Sequence, residues 1–137
     1  MIKQIIPLNV VRNDPAGKGH YHAPRNGRKH NGIDYTCTPG EVVLTPVGGV
    51  VTRLGYAYAD DLDWRYVEIT RGVDNLRHRF FYVEPSKTMK VGSHVSAGAP
   101  IGVAQDIPRK YPDQQMIAHV HHEVKDQSGN YMDPTTA

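Results

Sequence analysis

The segment Ala118-His119-Val120-His121-His122-Glu123 gathers three imidazoles and a carboxylate within six residues. On an extended strand alternate side chains project to opposite faces, so His119, His121 and Glu123 share one face and His122 takes the other. Neighbours on one face stand ~6.6 Å apart, which lets two imidazoles serve one centre in different roles. One can ligate a metal ion while the other hydrogen-bonds a water or substrate beside it. Such a pair suits hydrolysis if the chain supplies further ligands.

Those ligands lie upstream, in Lys29-His30-Asn31-Gly32-Ile33-Asp34-Tyr35. In an extended strand His30 and Asp34 would be ~13 Å apart. Asn31-Gly32 is turn chemistry, however, and can fold the two groups together. His30, Asp34 and His121 then offer two neutral nitrogens and a carboxylate oxygen. This is a ligand set typical of catalytic zinc, with the fourth position open for water. Zinc lowers the pKa of that water from ~15.7 to about 7. His119, on the same face as His121, is placed to act as general base or as a donor to a developing oxyanion.

The order His-x-x-x-Asp, a β-rich stretch, then His-x-His resembles the lysostaphin/LytM-type zinc endopeptidases, which cut peptide bonds in bacterial peptidoglycan. The resemblance runs over residues 17–135. It includes Pro39-Gly40, Thr45-Pro46-Val47-Gly48-Gly49-Val50-Val51 and Val91-Gly92-Ser93-His94-Val95-Ser96-Ala97-Gly98-Ala99-Pro100-Ile101-Gly102. It implies zinc ligands at His30, Asp34 and His121 and a catalytic histidine at His119. One departure stands out. The family carries a second catalytic histidine in a Tyr-x-His-Leu stretch, and the matching Phe81-Tyr82-Val83-Glu84-Pro85 places Glu84 there. Glu84 is then either a carboxylate that accepts a proton from zinc-bound water or a solvated residue at a strand end. Tyr82 either faces the zinc, contacting substrate as an oxyanion donor, or packs in the core. The stretches Tyr21-His22-Ala23-Pro24-Arg25, Phe81 to Pro85 and Lys110-Tyr111-Pro112 resemble the leukocyte cell-derived chemotaxin 2 branch. That branch keeps the zinc-binding fold and is regarded as signalling without peptidase activity. The resemblance therefore implies a zinc-dependent endopeptidase acting on peptidoglycan cross-links or stem peptides, with an inactive zinc-binding recognition module as the alternative.

Composition sets the bounds. At 137 residues, one domain spanning 1–137 with a substantial core is expected. A hydrophobic content of 39%, thirteen glycines and ten prolines suit a turn-rich β protein better than a helical bundle. A net charge of +2 with dispersed basic residues gives no nucleic-acid footprint. Arg25, Arg28 and Lys29 beside His30 can attract an anionic substrate or form a solvated loop. The single Cys37 can form no internal disulfide and is expected to pack rather than react. No apolar stretch is long enough to span a membrane. The start Met1-Ile2-Lys3-Gln4-Ile5-Ile6-Pro7 lacks the apolar run of a signal peptide. The expectation is a monomer of a phage lysis or virion-associated kind, made in a host cytoplasm or carried in a virion, and acting on the wall.

The elements that must position these groups read as short strands: Gln4–Ile6, Gly32–Tyr35, Glu41–Thr45, Gly49–Leu54, Arg65–Thr70, Leu76–Val83, Ala99–Val103 and Ile117–Val124. Within Leu76–Val83 and beyond, an unbroken strand would put His78, Phe80, Tyr82 and Glu84 on one face. No segment holds a helical period over ten residues. The expected fold is all-β, a compact antiparallel β-sandwich with little helix and the zinc site in a groove. Two loops, Gly55–Trp64 and Ala104–Met116, are expected to wall that groove with Tyr56, Tyr58, Trp64, Lys110, Tyr111 and Pro112. Asp60, Asp61 and Asp63 lack calcium-loop spacing and read as a solvated hairpin tip. His20 and His22 are placed to border the groove.

Overall fold

Runs of β-branched and aromatic residues punctuated by glycine and proline favour short strands. The computed structural model describes residues 5, 6, 9–25 and 27–137, and nearly every element in it is a strand. Two small hairpins come first, β1 (Asn13–Asp14) with β2 (Gly17–Lys18) and β3 (Pro24–Arg25) with β4 (Arg28–Lys29). Next come β5 (Gly32–Thr36), β6 (Val42–Leu44), β7 (Gly49–Tyr58), β8 (Asp61–Thr70) and β9 (Arg77–Phe81). Then β10 (Val83–Pro85), β11 (His94–Val95) and β12 (Pro100–Ala104) precede a 3₁₀ turn at Ile107–Lys110. β13 (His119–Lys125) and β14 (Tyr131–Met132) follow.

One antiparallel sheet has the order β11-β7-β8-β9-β13-β14, with β5 also paired to β13. A second has the order β10-β12-β6. Val51, Val67, Ile69, Phe80 and Val120 from the larger sheet meet Val43, Val83 and Ile101 from the smaller in one core. All eight are fully buried, each worth roughly 1.5–3 kcal/mol relative to exposure. The all-β antiparallel architecture is the one the strand pattern implies.

Three details depart from the sequence reading. Ile5 and Ile6 are buried in the core but lie outside any strand, and Gln4 falls outside the described residues. The segment Gly55–Trp64 is no loop: β7 and β8 run on through it to a turn at Ala59-Asp60. Gly55, the first residue of that expected loop, is a close-approach position, because a side chain there would collide with the Tyr66 ring. Finally, Leu76–Val83 is not one strand. Tyr82 adopts φ 67°, its N–H bonds the Arg65 carbonyl, and the chain leaves the large sheet there to enter β10 of the small one. His78 and Phe80 therefore stay in the core while Tyr82 turns away from their face.

β13 is the pivot. Its residues pair with β9 on one side and with β5 on the other, placing His121 opposite both Phe81 and Asp34. A slip of one residue would carry every side chain of β13 to the other face, so this register decides which histidines reach the groove.

Candidate metal centre

Cross-strand pairing sets Asp34 of β5 beside His121 of β13, and His30 sits two residues before β5 begins. Asn31-Gly32 is expected to turn His30 towards Asp34, but Gly32 already belongs to β5. The observed device is a backbone ladder: His30 N–H donates to the Ala23 carbonyl at 2.8 Å and His22 N–H to the His30 carbonyl at 2.9 Å. This holds His30 against the start of β5. Gly32 permits the approach, since a Cβ there would collide with the His122 carbonyl and lie 2.8 Å from His121 Cε1.

His121 Nδ1 lies 2.8 Å from Asp34 Oδ1, His30 Nε2 lies 3.3 Å from the same oxygen, and the two nitrogens are 3.1 Å apart. Two ligands ~2.0–2.1 Å from one tetrahedral ion are separated by ~3.3 Å, so the triangle is close to the right size. Outer partners fix both tautomers. His30 Nδ1 is 3.0 Å from the His20 carbonyl, and His121 Nε2 is 2.9 Å from Glu123 Oε1. With a metal ion held between them, each ring would donate outward and turn a lone pair inward. His30, Asp34 and His121 are thus a group that could hold a metal ion.

The electrostatics favour positive charge at this point. Burial opposes the charge on His121, but hydrogen bonds to Asp34 and Glu123 outweigh it and push its pKa up to about 9. Burial likewise opposes ionisation of Asp34, yet hydrogen bonds from His121 and His30 hold its carboxyl well below the usual range.

His119 is buried beside this group, with Nδ1 2.8 Å from the Ile117 carbonyl. That bond leaves Nε2 as the acceptor, 3.7 Å from Asp34 Oδ2. Burial lowers the His119 pKa, with Asp34 and the Ile117 bond opposing, which favours the neutral ring. Tyr82 meets the His119 ring edge-on, with centroids 5.4 Å apart. Burial raises its pKa to about 12, so the hydroxyl keeps its proton. Its oxygen lies 3.2 Å from the Tyr58 hydroxyl, to which Tyr111 donates at 2.9 Å.

These groups line a groove of about 540 Å³. Arg25, Arg28 and Lys29 give it a basic lining, and Tyr58, Tyr82 and Tyr111 line it with tyrosine rings. Lys110 stacks 4.4 Å from the Tyr58 ring and pairs with Asp61 at 2.9 Å, tying the hairpin tip to the 3₁₀ turn. Glu84 is not brought to the groove. It is exposed on β10, opposite Val103, because the backbone turn at Tyr82 sends β10 into the other sheet. The expectation that Glu84 could act on zinc-bound water is corrected by that placement.

Of the remaining histidines, His20 acts through its backbone on His30, and its side chain is exposed, as is that of His22. His122 faces the opposite side of β13, 3.0 Å from His78 in the core. Burial pushes the Cys37 thiol up to about 12, in keeping with packing rather than nucleophilic duty. The sequence reading missed Arg12, whose Nε lies 3.1 Å from Asp34 Oδ2 with both side chains 4% exposed. An arginine 22 positions from its partner carries no local signal.

Residues 28–134 match Peptidase family M23. Mouse leukocyte cell-derived chemotaxin-2 is 30% identical over 132 residues, covering 93% of this chain and 78% of that protein. The bovine protein of the same name is 30% identical over 129 residues, with the same coverage. Among solved structures, the catalytic domain of the antimicrobial peptidase lysostaphin from Staphylococcus simulans superposes with a TM-score of 0.65 at 21% identity, covering 88% of this chain and 86% of that one. A mutant catalytic domain of EnpA, a prophage-encoded M23 protein from Enterococcus faecalis, gives 0.64 at 20% identity, covering 91% and 88%. The buried His-Asp-His group therefore sits in a fold shared with these peptidases, and the chain belongs to peptidase family M23.

Proposed function

We propose that this protein is a zinc-dependent endopeptidase that hydrolyses cross-links or stem peptides of bacterial peptidoglycan. The observation that carries the reading is the convergence of His30 Nε2, Asp34 Oδ1 and His121 Nδ1 on one point, with the free Nε2 of His119 beside it. A zinc ion held by His30, Asp34 and His121 would supply hydroxide near neutral pH and polarise the scissile carbonyl. His119 takes the proton of the attacking water on Nε2 and returns it to the leaving amine. With Tyr111 donating to Tyr58 and Tyr58 to Tyr82, the Tyr82 proton is left to donate to the developing oxyanion. The basic and tyrosine side chains that line the groove hold an extended peptide.

A second reading, a zinc-binding recognition module without hydrolysis, has its own observation. Tyr82, rather than a second imidazole, faces His119, and Glu84 stands outside the groove. Clearing of a purified peptidoglycan suspension separates the two. Zinc-loaded protein is expected to clear it, chelation to stop the clearing, and added zinc to restore it. Binding to the sacculi at full zinc occupancy without any clearing would favour the module.

A further inference from the structure

A buried ion pair lies behind the centre and connects its two working halves. Arg12 Nε bonds Asp34 Oδ2 at 3.1 Å, while Arg12 Nη1 lies 3.3 Å from both carboxylate oxygens of Asp14. The Asp14 side chain is 1% exposed and is fixed on both oxygens, accepting from Ala16 N–H and from Ile117 N–H, each at 2.8 Å. The carbonyl of that same Ile117 accepts the Nδ1 proton of His119. Backbone bonds reinforce the arrangement, because Arg12 N–H donates to the Asp34 carbonyl at 2.8 Å. The circuit thus runs from Asp34 through Arg12, Asp14 and Ile117 to His119, and closes where His119 Nε2 approaches Asp34 Oδ2 at 3.7 Å.

We propose that Arg12, held in place by Asp14, is a positioning residue that reserves Asp34 Oδ2 so that Oδ1 alone is offered to a metal ion. The proposal rests on the reading of His30, Asp34 and His121 as zinc ligands. Its physical basis is geometric. A carboxylate with both oxygens free can swing or bind an ion through both, whereas a charge-assisted bond from a buried guanidinium fixes one oxygen and the plane of the group. Arginine suits the task because its planar fork reaches Asp34 with Nε and Asp14 with Nη1 at once, which the single ammonium of lysine cannot do. Arg25 adds a looser contact, 3.7 Å from Asp34 Oδ2, with a more exposed side chain.

The test reads metal binding, not turnover. Zinc dissociation constants are measured by competition with a chromophoric chelator for wild type, Arg12→Met and Arg12→Lys, and each is also loaded with cobalt(II) for its visible spectrum. Loss of an outer partner of a metal ligand typically costs 10–100-fold in affinity, so Arg12→Met is expected to weaken zinc by about that factor and to alter the cobalt bands. Arg12→Lys, which keeps the charge without the fork, is expected to fall between the two. A folded Arg12→Met with wild-type zinc affinity and an unchanged cobalt spectrum would overturn the proposal. If Arg12→Met does not fold, Arg12→Lys decides: wild-type affinity and spectrum overturn it. A wild-type protein that binds no zinc overturns the underlying ligand reading instead. A wild type that binds zinc but cleaves nothing leaves the role of Arg12 standing.

Discussion

In the proposed mechanism His119 and Tyr82 divide the chemistry of the groove, and their environments differ in the way those roles would require. The His119 ring is buried and neutral with one nitrogen committed to Ile117, while Tyr82 keeps its proton and sits at the end of a tyrosine chain. His119→Ala is expected to lower kcat by ~10²–10⁴-fold with zinc content intact. Glu84→Gln, exposed on the far strand, is expected to leave turnover within about twofold, and a large loss in this variant would put the base elsewhere than His119. His78 gives a separate expectation about stability. Burial pushes its pKa down from 6.5 to about 4. The unfolded chain therefore takes up the proton first. The contribution of neutral His78 is complete above pH 6.5 and is lost as pH falls towards 4, worth roughly 3 kcal/mol in all. Denaturant midpoints of wild type and His78→Gln, compared across that range, should differ in slope. Parallel curves would show that His78 is not the titrating group. At this scale the residues of the candidate metal site were legible, because His-x-His and His-x-x-x-Asp are local patterns. Arg12 and Asp14 were not, because their partners lie far along the chain and only the fold brings them together.

At the level of elements, the pairing of β13 with β5 and β9 does the positioning. Gly32 is the tightest point of that pairing, since any Cβ would press on the His122 carbonyl and the His121 ring. Gly32→Ala is expected to cost about 1–3 kcal/mol of stability and to weaken zinc binding by displacing His121, measured by denaturation and chelator competition. Unchanged zinc affinity would mean that the strand can shift without moving the ring. The strand Arg65–Thr70 was legible from its β-type run, and its Val67 and Ile69 are fully buried in β8, but Tyr66 and Glu68 on the other face are buried as well. The break at Tyr82 was not legible. A tyrosine at φ 67° is a conformation that no local pattern announces, and it separates Tyr82 in the groove from Glu84 at the surface. The expected loop from Gly55 is the converse case, because a glycine inside a strand can mark a neighbour's ring rather than a turn.

Across the whole molecule, two sheets share one core, and the centre hangs on strands of the larger sheet whose inner side chains, Phe80 and Val120, are fully buried. A metal ion bound at this centre would therefore be linked to folding. Zinc in excess is expected to raise the melting temperature, with a stabilisation that grows as RT ln(1 + [Zn]/Kd), about 2.7 kcal/mol at a hundredfold excess over Kd. Chelation should remove it, and His121→Ala should not show it. The fold is common to lysostaphin and to the matched prophage-encoded M23 domain, while the curated relatives at 30% identity are chemotaxins, so likeness alone does not decide whether peptide bonds are cut. Product analysis does. Zinc-loaded protein is incubated with purified peptidoglycan of several chemotypes, and the newly freed amines and reducing sugar ends are both counted. New amines without new reducing ends, abolished in His119→Ala, are the expected result. Full zinc occupancy with no new amines from any of the walls would contradict the endopeptidase.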